Sequence, residues 1–344
     1  MASIDVYFEA AVSAGASDLH ISSDSKVYLR RLGVLKPFND QVLAADKVGE
    51  MVTELLGPQR LERLQKDLEI DTSHTLPDGE RFRLNVFMEK KGWSVVARHF
   101  SKSVRTVEEL GLPNILNRFA DAHQGLILVT GPGRSGKSTT AAAIVDYING
   151  RREDHIITIE DPIEYLHPKK SCLVNQRGVG PHTDSFAAAL RGALREDPDI
   201  IVVGELRDTE TVTLALTAAE TGHLVIGTLN TNSAVATISR VINLFPAAER
   251  AQATTSLSET LVGIMSQRLL PGADGKSLVP AYEVLVNTLA VANVIMGNEY
   301  HKLASLIATG QKEGMVTLAA YMKSLLDRQY INRDTYDLVL SEEV

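Results

Sequence analysis

The sequence has little cysteine, few aromatic residues and no long apolar run. Of its 344 residues one is cysteine, Cys172, and 5% are aromatic. A single cysteine excludes an internal disulfide and a zinc site made of four thiolates. No apolar run is long enough to cross a bilayer, and the amino end lacks the basic start and apolar core of a signal peptide. We therefore expect a cytoplasmic protein that reaches a membrane only through partners.

Positive charge is also scarce. The 35 Lys and Arg residues are outnumbered by 43 Asp and Glu, which gives a net charge of −8. No global positive field would hold nucleic acid, so we expect no nucleic-acid partner and disfavour a DNA translocase. The 44% of hydrophobic and 23% of charged residues are typical of a soluble globular protein. A chain of this length favours two domains.

The hydrophobic pattern changes part-way along the chain. The first hundred residues predict helices and alternating strands, with an antiparallel pair over 81–87 and 93–100. The other segments predicted there are helices over 4–14 and 44–66 and strands over 18–22 and 26–31. We predict a first domain over 1–100, a linker over 101–112 and a second domain over 113–344.

In the second domain, short apolar runs alternate with helices. Those runs cover residues 126–129, 155–159, 199–203 and 223–227. Strands that are apolar on both faces and separated by helices predict a mostly parallel sheet covered on both sides. Beyond about residue 247 the pattern is mainly helical, and the loop at 271–276 joins two strands at the sheet edge. The fold class is therefore α/β.

Residues 131–139 match the phosphate-binding pattern G-x-x-x-x-G-K-[ST]. An apolar strand precedes them and a helix follows. In this pattern glycines let backbone N–H groups face phosphate oxygens, Lys137 meets the β- and γ-phosphates, and the Ser138 hydroxyl ligates Mg²⁺. The predicted nucleotide-binding residues are Gly131, Pro132, Gly133, Arg134, Ser135, Gly136, Lys137, Ser138 and Thr139.

Two acidic segments follow apolar strands, where α/β sheets place their ligands. One is Glu160-Asp-Pro-Ile-Glu164, and the other ends at Glu205. A P-loop site needs acids to hold the metal and to orient water. The sequence therefore predicts an ATPase that uses ATP and Mg²⁺.

Several motifs resemble those of the secretion and pilus ATPase superfamily. ITIEDPIEY (157–165) is similar to its Asp box, ALREDPDIIVVGELRD (193–208) to its Walker B segment and LALTAAETGHLVIGTLNTNSA (214–234) to its His box. ASDLHIS (16–22) and RFRLNVF (81–87) resemble its smaller domain. The resemblance runs over about residues 16–318 and is strongest to the PilT/PilU-like ATPases that retract type IV pili.

The resemblance implies a RecA-like P-loop ATPase core with a smaller amino-terminal PAS-like α+β domain, assembled as a homo-hexameric ring. It implies that Glu164 is the catalytic carboxylate, that Glu205 is the Walker B acid near Mg²⁺, and that His223 is the first His-box histidine. Arg83 and Arg98 match arginines that reach a neighbour's nucleotide. Arg81 shares a strand face with Arg83, so the sequence leaves open which of the three reaches the phosphate. The implied partners are an inner-membrane pilus platform protein, which makes the chain peripheral to that membrane, and a second pilus ATPase.

The chain departs from the family pattern at three places. Asn230 stands where the His box usually has a second histidine, so no ionisable proton is available there. Arg134 puts a bulky cation in the P-loop. Ala292 replaces the arginine of the AIRNLI signature of retraction motors, here AVANVI (290–295).

We therefore predict an ATP hydrolase, converting ATP and water to ADP and phosphate, that powers pilus retraction in twitching motility. One alternative is an accessory PilU-like motor that depends on a partner ATPase. A second alternative, from a different class, is a nucleotide-dependent scaffold with low turnover.

Overall fold

The computed structural model describes residues 3–100 and 103–341. Contacts between residues divide the chain into two compact units, Met1–Ser103 and Val104–Val344. The predicted linker over 101–112 begins with Ser101 and Lys102, which lie outside the described residues. Within the described ranges, no helix is both long enough and apolar enough to cross a bilayer.

The amino-terminal unit is a six-stranded sheet with two helices. Its elements are α1 (Asp5–Ser13), β1 (Asp18–Ser22), β2 (Ser25–Arg31), β3 (Val34–Leu43), α2 (Ala45–Asp67), β4 (Glu69–Thr75), β5 (Arg81–Glu89) and β6 (Gly92–Phe100). The strands are antiparallel in the order β3-β2-β1-β6-β5-β4. The predicted pairing of residues 81–87 with 93–100 is confirmed as β5 and β6.

Alternation along these strands separates an apolar face from a charged one. On β5, Phe82, Leu84 and Val86 are fully buried, whereas Arg81 and Arg83 are half-buried between them. The buried side chains join those of α1 and α2 in one hydrophobic core. Residues of one strand alternate between the two faces, so the arginines lie on the face away from that core. The predicted shared face of Arg81 and Arg83 is confirmed.

The second unit is built on a seven-stranded sheet. Its strands are β7 (Gly125–Thr130), β8 (His155–Glu160), β9 (Leu173–Gly178), β10 (Ile200–Val203), β11 (Leu224–Leu229), β12 (Leu261–Pro271) and β13 (Leu278–Val286). They follow the order β13-β12-β7-β11-β10-β8-β9, and only the β12–β13 pair is antiparallel. The mostly parallel sheet and the strand pair around the 271–276 loop were both predicted.

One helix precedes these strands, and the others connect them or follow them. They are α3 (Ile115–Ala120), α4 (Lys137–Asn149), α5 (Phe186–Ala193), α6 (Thr209–Glu220), α7 (Ala234–Asn243), α8 (Arg250–Thr260), α9 (Leu289–Met296), α10 (Leu303–Thr309), α11 (Leu318–Asp327) and α12 (Arg333–Ser341). All residues of β10 and β11 are buried, as expected for central strands covered on both faces. Most of the sheet and its flanking helices share one large core.

Strand direction decides where the site lies. Because β7, β8, β10, β11 and β12 are mutually parallel, their carboxyl ends meet at one edge of the sheet. The segments that leave this edge contain the P-loop, the Asp box, Glu205 and Asn230, and Gln267 on β12 lies beside them. We call this edge the P-loop edge and the opposite one the amino edge.

Candidate active site

The P-loop leaves β7 and enters α4 through two glycines in conformations that other residues adopt poorly. Gly131 has φ +148° and Gly136 has φ +90°. A Cβ added at Gly131 would lie 2.2 Å from the Gln267 carbonyl oxygen and 2.5 Å from Ser135 Oγ. A side chain at Gly131 would therefore force the loop away from β12. These two glycines are needed for both the turn and the close approach.

Lys137 opens α4 and turns back over the loop. Its Nζ donates to the carbonyl oxygens of Gly131 and Pro132, each at 2.9 Å. Burial lowers the pKa of Lys137, while the charges of Glu205 and then Glu164 act to raise it. The lysine and both predicted carboxylates therefore interact electrostatically at the P-loop edge. Charges arranged in this way suit the polyphosphate of a nucleotide.

The turn that carries Glu164 is held by a second acid, Glu160. Glu160 accepts from Thr158 Oγ1 at 2.7 Å, from Gln176 Nε2 at 3.1 Å and from the Glu164 backbone N–H at 3.3 Å. Burial raises the pKa of Glu160. Its contacts join the end of β8, β9 and the Glu164 turn. The sequence pattern places Glu160 in the Asp box but gives no sign of this role, and the structure shows that Glu160 holds the turn that carries Glu164.

A hydroxyl pair also connects that turn to α4. Thr139 Oγ1 and Tyr165 Oη lie 2.8 Å apart. Thr139 is two residues after Lys137, and Tyr165 follows Glu164 directly, so this one hydrogen bond spans the two segments of the predicted site. Further along α4, Lys170 Nζ lies 2.7 Å from Asp146 Oδ1 and Asn149 Nδ2 donates to the Pro168 carbonyl at 2.8 Å.

Glu205 follows β10 and is held at both carboxylate oxygens. Asn230 Nδ2 donates to Oε1 at 2.6 Å, and Arg207 Nε donates to Oε2 at 2.7 Å. The pKa of Arg207 is raised mainly by this hydrogen bond to Glu205. Asn230, which departs from the family pattern, therefore contacts the predicted Walker B acid directly. An amide can make this contact without carrying charge.

The arrangement offers oxygen ligands for Mg²⁺. The Ser138 hydroxyl is on the first turn of α4, and Glu205 follows the carboxyl end of β10, two strands away from β7 in the sheet. Among residues 3–100 and 103–341, no group of three or more His, Cys, Asp or Glu side chains is placed to hold a metal alone. Mg²⁺ suits such a site, because it binds through one or two protein oxygens together with phosphate oxygens and water.

His223 does not join this group of side chains in its own chain. It precedes β11, and its carbonyl accepts from the Gly125 N–H at the start of β7. Both strands then run from there to the P-loop edge, with Leu224 beside Gly125 and Leu229 beside Thr130. At about 3.3 Å per residue, His223 lies roughly 20 Å from the P-loop. Its Nδ1 instead contacts the Ala218 carbonyl at 2.9 Å.

Arg83 and Arg98 lie in the amino-terminal unit, directly opposite each other on β5 and β6. Arg98 Nε donates to Asp18 Oδ1 at 3.0 Å, and Arg83 Nε lies 3.8 Å from Asp71 Oδ1. Asp18 is only 5% exposed, and Arg30 approaches its other oxygen at 3.9 Å. The two predicted arginines are therefore adjacent and half-exposed, on the charged face of the sheet.

Arg134 lies at the outer part of the loop. It is exposed and has φ +66°, a conformation that is uncommon for residues with a side chain. Gly133 is also exposed, whereas Ser135 is buried. The cation that distinguishes this P-loop therefore faces solvent within its own chain.

Comparison with known proteins identifies the family. The family model described as type II/IV secretion system protein matches residues 1–308. The chain belongs to this family. It is 45% identical over 320 residues to the type IV pilus retraction ATPase PilT of Pseudomonas aeruginosa, covering 93% of each chain. It is 37% identical over 306 residues to the type IV pilus ATPase PilU of the same organism, covering 89% of this chain and 80% of that protein.

A solved structure agrees with this assignment. The crystal structure of the pilus retraction motor PilT with bound ADP superposes with a TM-score of 0.88 at 39% identity, covering 98% of this chain and 96% of the other. The predicted α/β fold class, the resemblance to pilus retraction ATPases and the prediction of an ATPase are confirmed.

Proposed function

We propose that this chain is a motor that hydrolyses ATP to retract type IV pili. The observation that supports this most is the P-loop, where Lys137 lies over a glycine loop shaped for phosphate and the charges of Glu205 and Glu164 act to raise the pKa of that lysine. Its relatives PilT and PilU are pilus ATPases, and the PilT structure contains ADP. We infer ATP and Mg²⁺ as its ligands for these reasons.

In this proposal each side chain has one task. The loop 131–139 binds the phosphates through backbone N–H groups, and Lys137 neutralises charge at the β- and γ-phosphates. Ser138 and Glu205 hold Mg²⁺, which when bound neutralises charge on the phosphate oxygens. Glu164 orients the attacking water and accepts its proton, from a turn held by Glu160 and Tyr165.

We further propose that the chain works as a homo-hexameric ring in which Arg83 and Arg98 serve a neighbour's nucleotide. Their half-exposed guanidinium groups lie side by side on one sheet face. An arginine supplied from another subunit is a common way to stabilise the charge that develops during phosphoryl transfer. The inferred location is the cytoplasm, where the ring acts on an inner-membrane pilus platform protein.

We favour a primary retraction motor over the accessory PilU-like one. Identity to PilT is 45% and to PilU 37%, over similar lengths of this chain. In the accessory case a second pilus ATPase would be required for turnover. A scaffold with low turnover is less favoured, because the side chains of Glu160, Glu205 and Lys137 are all held by hydrogen bonds at the P-loop edge.

The first experiment is Lys137→Ala, with Lys323→Ala as its control. Lys323 is an exposed lysine on α11 that forms a salt bridge with Asp327 in the same helix. Losing the Lys137 cation should abolish steady-state turnover and weaken ATP binding, whereas Lys323→Ala should match the wild type. Turnover by Lys137→Ala at the wild-type rate would refute the proposed site.

A second experiment tests the direction of force. Cells that lack the protein should carry more surface pili and lose twitching, because pili would be assembled but not withdrawn. The wild-type gene should restore both properties, and Lys137→Ala should not. Loss of pili instead would indicate an assembly motor.

A further inference from the structure

Gln267 is a buried amide on β12 that lies directly beside the P-loop. It is 2% exposed and follows Ser266, which pairs with Thr130 at the end of β7. Its Nε2 donates to the Ser135 carbonyl at 2.6 Å, and its Oε1 accepts from Thr140 Oγ1 at 2.7 Å. Both functions of the amide are therefore used, one by the loop and one by the helix that follows it.

The contact with Ser135 controls the direction of one peptide group. In a trans peptide the C=O and the next N–H point in opposite directions. The hydrogen bond from Gln267 holds the Ser135 carbonyl toward β12, which directs the Gly136 N–H away from β12. In a P-loop it is the backbone N–H groups that face the phosphates.

Without the hydrogen bond from Gln267, the Ser135–Gly136 peptide could flip easily. Gly136 has φ +90°, and glycine crosses between backbone regions with little steric cost. A reversed peptide would present the Ser135 carbonyl, not the Gly136 N–H, to an anionic ligand. Sterics at Gly136 therefore allow either orientation, and the hydrogen bond from the neighbouring strand favours one of them.

Ser135 and Thr140 together fix which way the amide faces. A glutamine side chain can rotate by half a turn, which exchanges its oxygen and nitrogen. The Ser135 carbonyl can only accept, so Nε2 must face it, and the Thr140 hydroxyl then donates to Oε1 and holds the amide in that orientation. Thr140 is 1% exposed, so water cannot easily replace it as the donor.

We propose that Gln267 and Thr140 are positioning residues that hold the Ser135–Gly136 peptide in the orientation that binds nucleotide phosphate. The inference rests on the proposed role of the P-loop as the phosphate site. Neither side chain contacts the ligand, and their effect on affinity passes through the Gly136 N–H.

The test is equilibrium binding of ADP by calorimetry, with the melting temperature of each nucleotide-free variant measured in parallel. Gln267→Met keeps the size but removes both hydrogen bonds, and should weaken ADP binding at least about tenfold. Gln267→Glu keeps the acceptor for Thr140 but opposes a carboxylate to the Ser135 carbonyl, and should bind more weakly still. Thr140→Val should weaken binding about threefold, and adding it to Gln267→Met should cost nothing further.

Thr254→Val is the matched control. Thr254 is 2% exposed on α8 and donates to the Arg250 carbonyl in its own helix. It should lower the melting temperature without changing ADP affinity, which separates loss of stability from loss of positioning. If Gln267→Met cannot be purified, Thr140→Val decides the matter.

ADP affinity within about twofold of the wild type in Gln267→Met, or in Thr140→Val where that variant decides, would overturn the inference. So would affinity losses that follow the melting temperature across all variants, Thr254→Val included. Failure of the wild-type protein to bind ADP would instead refute the proposed phosphate site itself.

Discussion

The two sheets place their polar residues in different ways. In the antiparallel sheet of the amino-terminal unit, charged residues such as Arg83 and Arg98 occupy one face and apolar residues the other. In the sheet of the second unit both faces of β10 and β11 are buried, and the predicted catalytic acids Glu164 and Glu205 follow the carboxyl ends of β8 and β10. In this protein an alternating pattern therefore indicates a strand with predicted functional residues on one face. A continuous apolar run indicates a buried strand with predicted functional residues beyond its carboxyl end.

The roles proposed at the P-loop edge can be tested by substituting its two acids one at a time. Glu164→Gln removes the proposed base but keeps the size of the side chain, so ATP affinity should be retained while single-turnover hydrolysis slows at least about a hundredfold. Glu205→Gln should mainly weaken Mg·ATP binding, because Glu205 is proposed to hold the metal. ATP affinity and single-turnover rates are measured for both variants together. Normal hydrolysis by Glu164→Gln, with tight binding and no hydrolysis by Glu205→Gln, would reverse the two roles.

A second prediction concerns the packing of the segment beyond Glu164. Burial lowers the pKa of His167 to about 4, so the folded protein keeps this imidazole neutral at pH values where the unfolded chain, with a pKa near 6.5, takes up a proton. The free energy of unfolding should therefore fall by about 3 kcal/mol as the pH is lowered from about 6.5 to about 4, because the unfolded chain binds a proton that the folded protein does not. Denaturant unfolding of the wild type and of His167→Gln at several pH values checks this.

His167→Gln has no titrating proton, so its stability relative to the wild type should rise as the pH is lowered through this range. A constant difference between the two proteins would mean that the segment leaves His167 open to solvent. The segment after the sheet edge would then be loosely packed, which would weaken the case that Glu164 is held in place.

The charged face is tested by Arg83→Ala and Arg98→Ala, with Arg60→Ala as control. Each should lower kcat at least about tenfold if these arginines stabilise the transition state in a neighbouring subunit. Arg60 is an exposed arginine on α2, which packs on the opposite face, and its removal should have no effect.

Mixed rings provide the sharper measurement. Mixing Arg83→Ala with Lys137→Ala protein should restore part of the activity, because one boundary in such a ring combines an intact arginine with an intact lysine. If subunits are shown to exchange and no activity returns, the arginines act within their own chain or not at all.

The smallest effect is expected at the amino edge. His223→Ala should leave ADP affinity within about twofold of the wild type, since sites farther apart than about 10 Å usually contribute independently. Calorimetry measures this directly. A loss of ADP affinity comparable to that of Lys137→Ala would show that the amino edge also contributes to nucleotide binding.

Much of this architecture could be predicted from the sequence, for physical reasons. The buried strands β7, β8, β10 and β11 appear as short apolar runs, and β5 and β6 as alternating ones. The edge strands β3, β4 and β9 were missed because most of their residues are at least partly exposed and leave no apolar pattern.

The contacts of Gln267 could not be predicted from local pattern, whereas the position of His223 could. Gln267 contacts a segment 132 residues away, and nothing in its neighbourhood in the sequence distinguishes it from an ordinary amide. The position of His223 did carry a signal, because it precedes an apolar run whereas Glu205 follows one. In a parallel sheet that difference places the two residues at opposite edges, although the motif joins them in one family pattern.

The burial of Cys172 has a practical consequence for labelling. The thiol is 6% exposed and its sulfur donates to the Arg152 carbonyl at 3.1 Å. Burial raises the pKa of Cys172, which disfavours the thiolate that reacts with maleimides and similar reagents. Since the chain has no other cysteine, a new one at an exposed position would react selectively in the otherwise natural protein. Fluorophores or spin labels could then report on subunit motion without removal of the native cysteine.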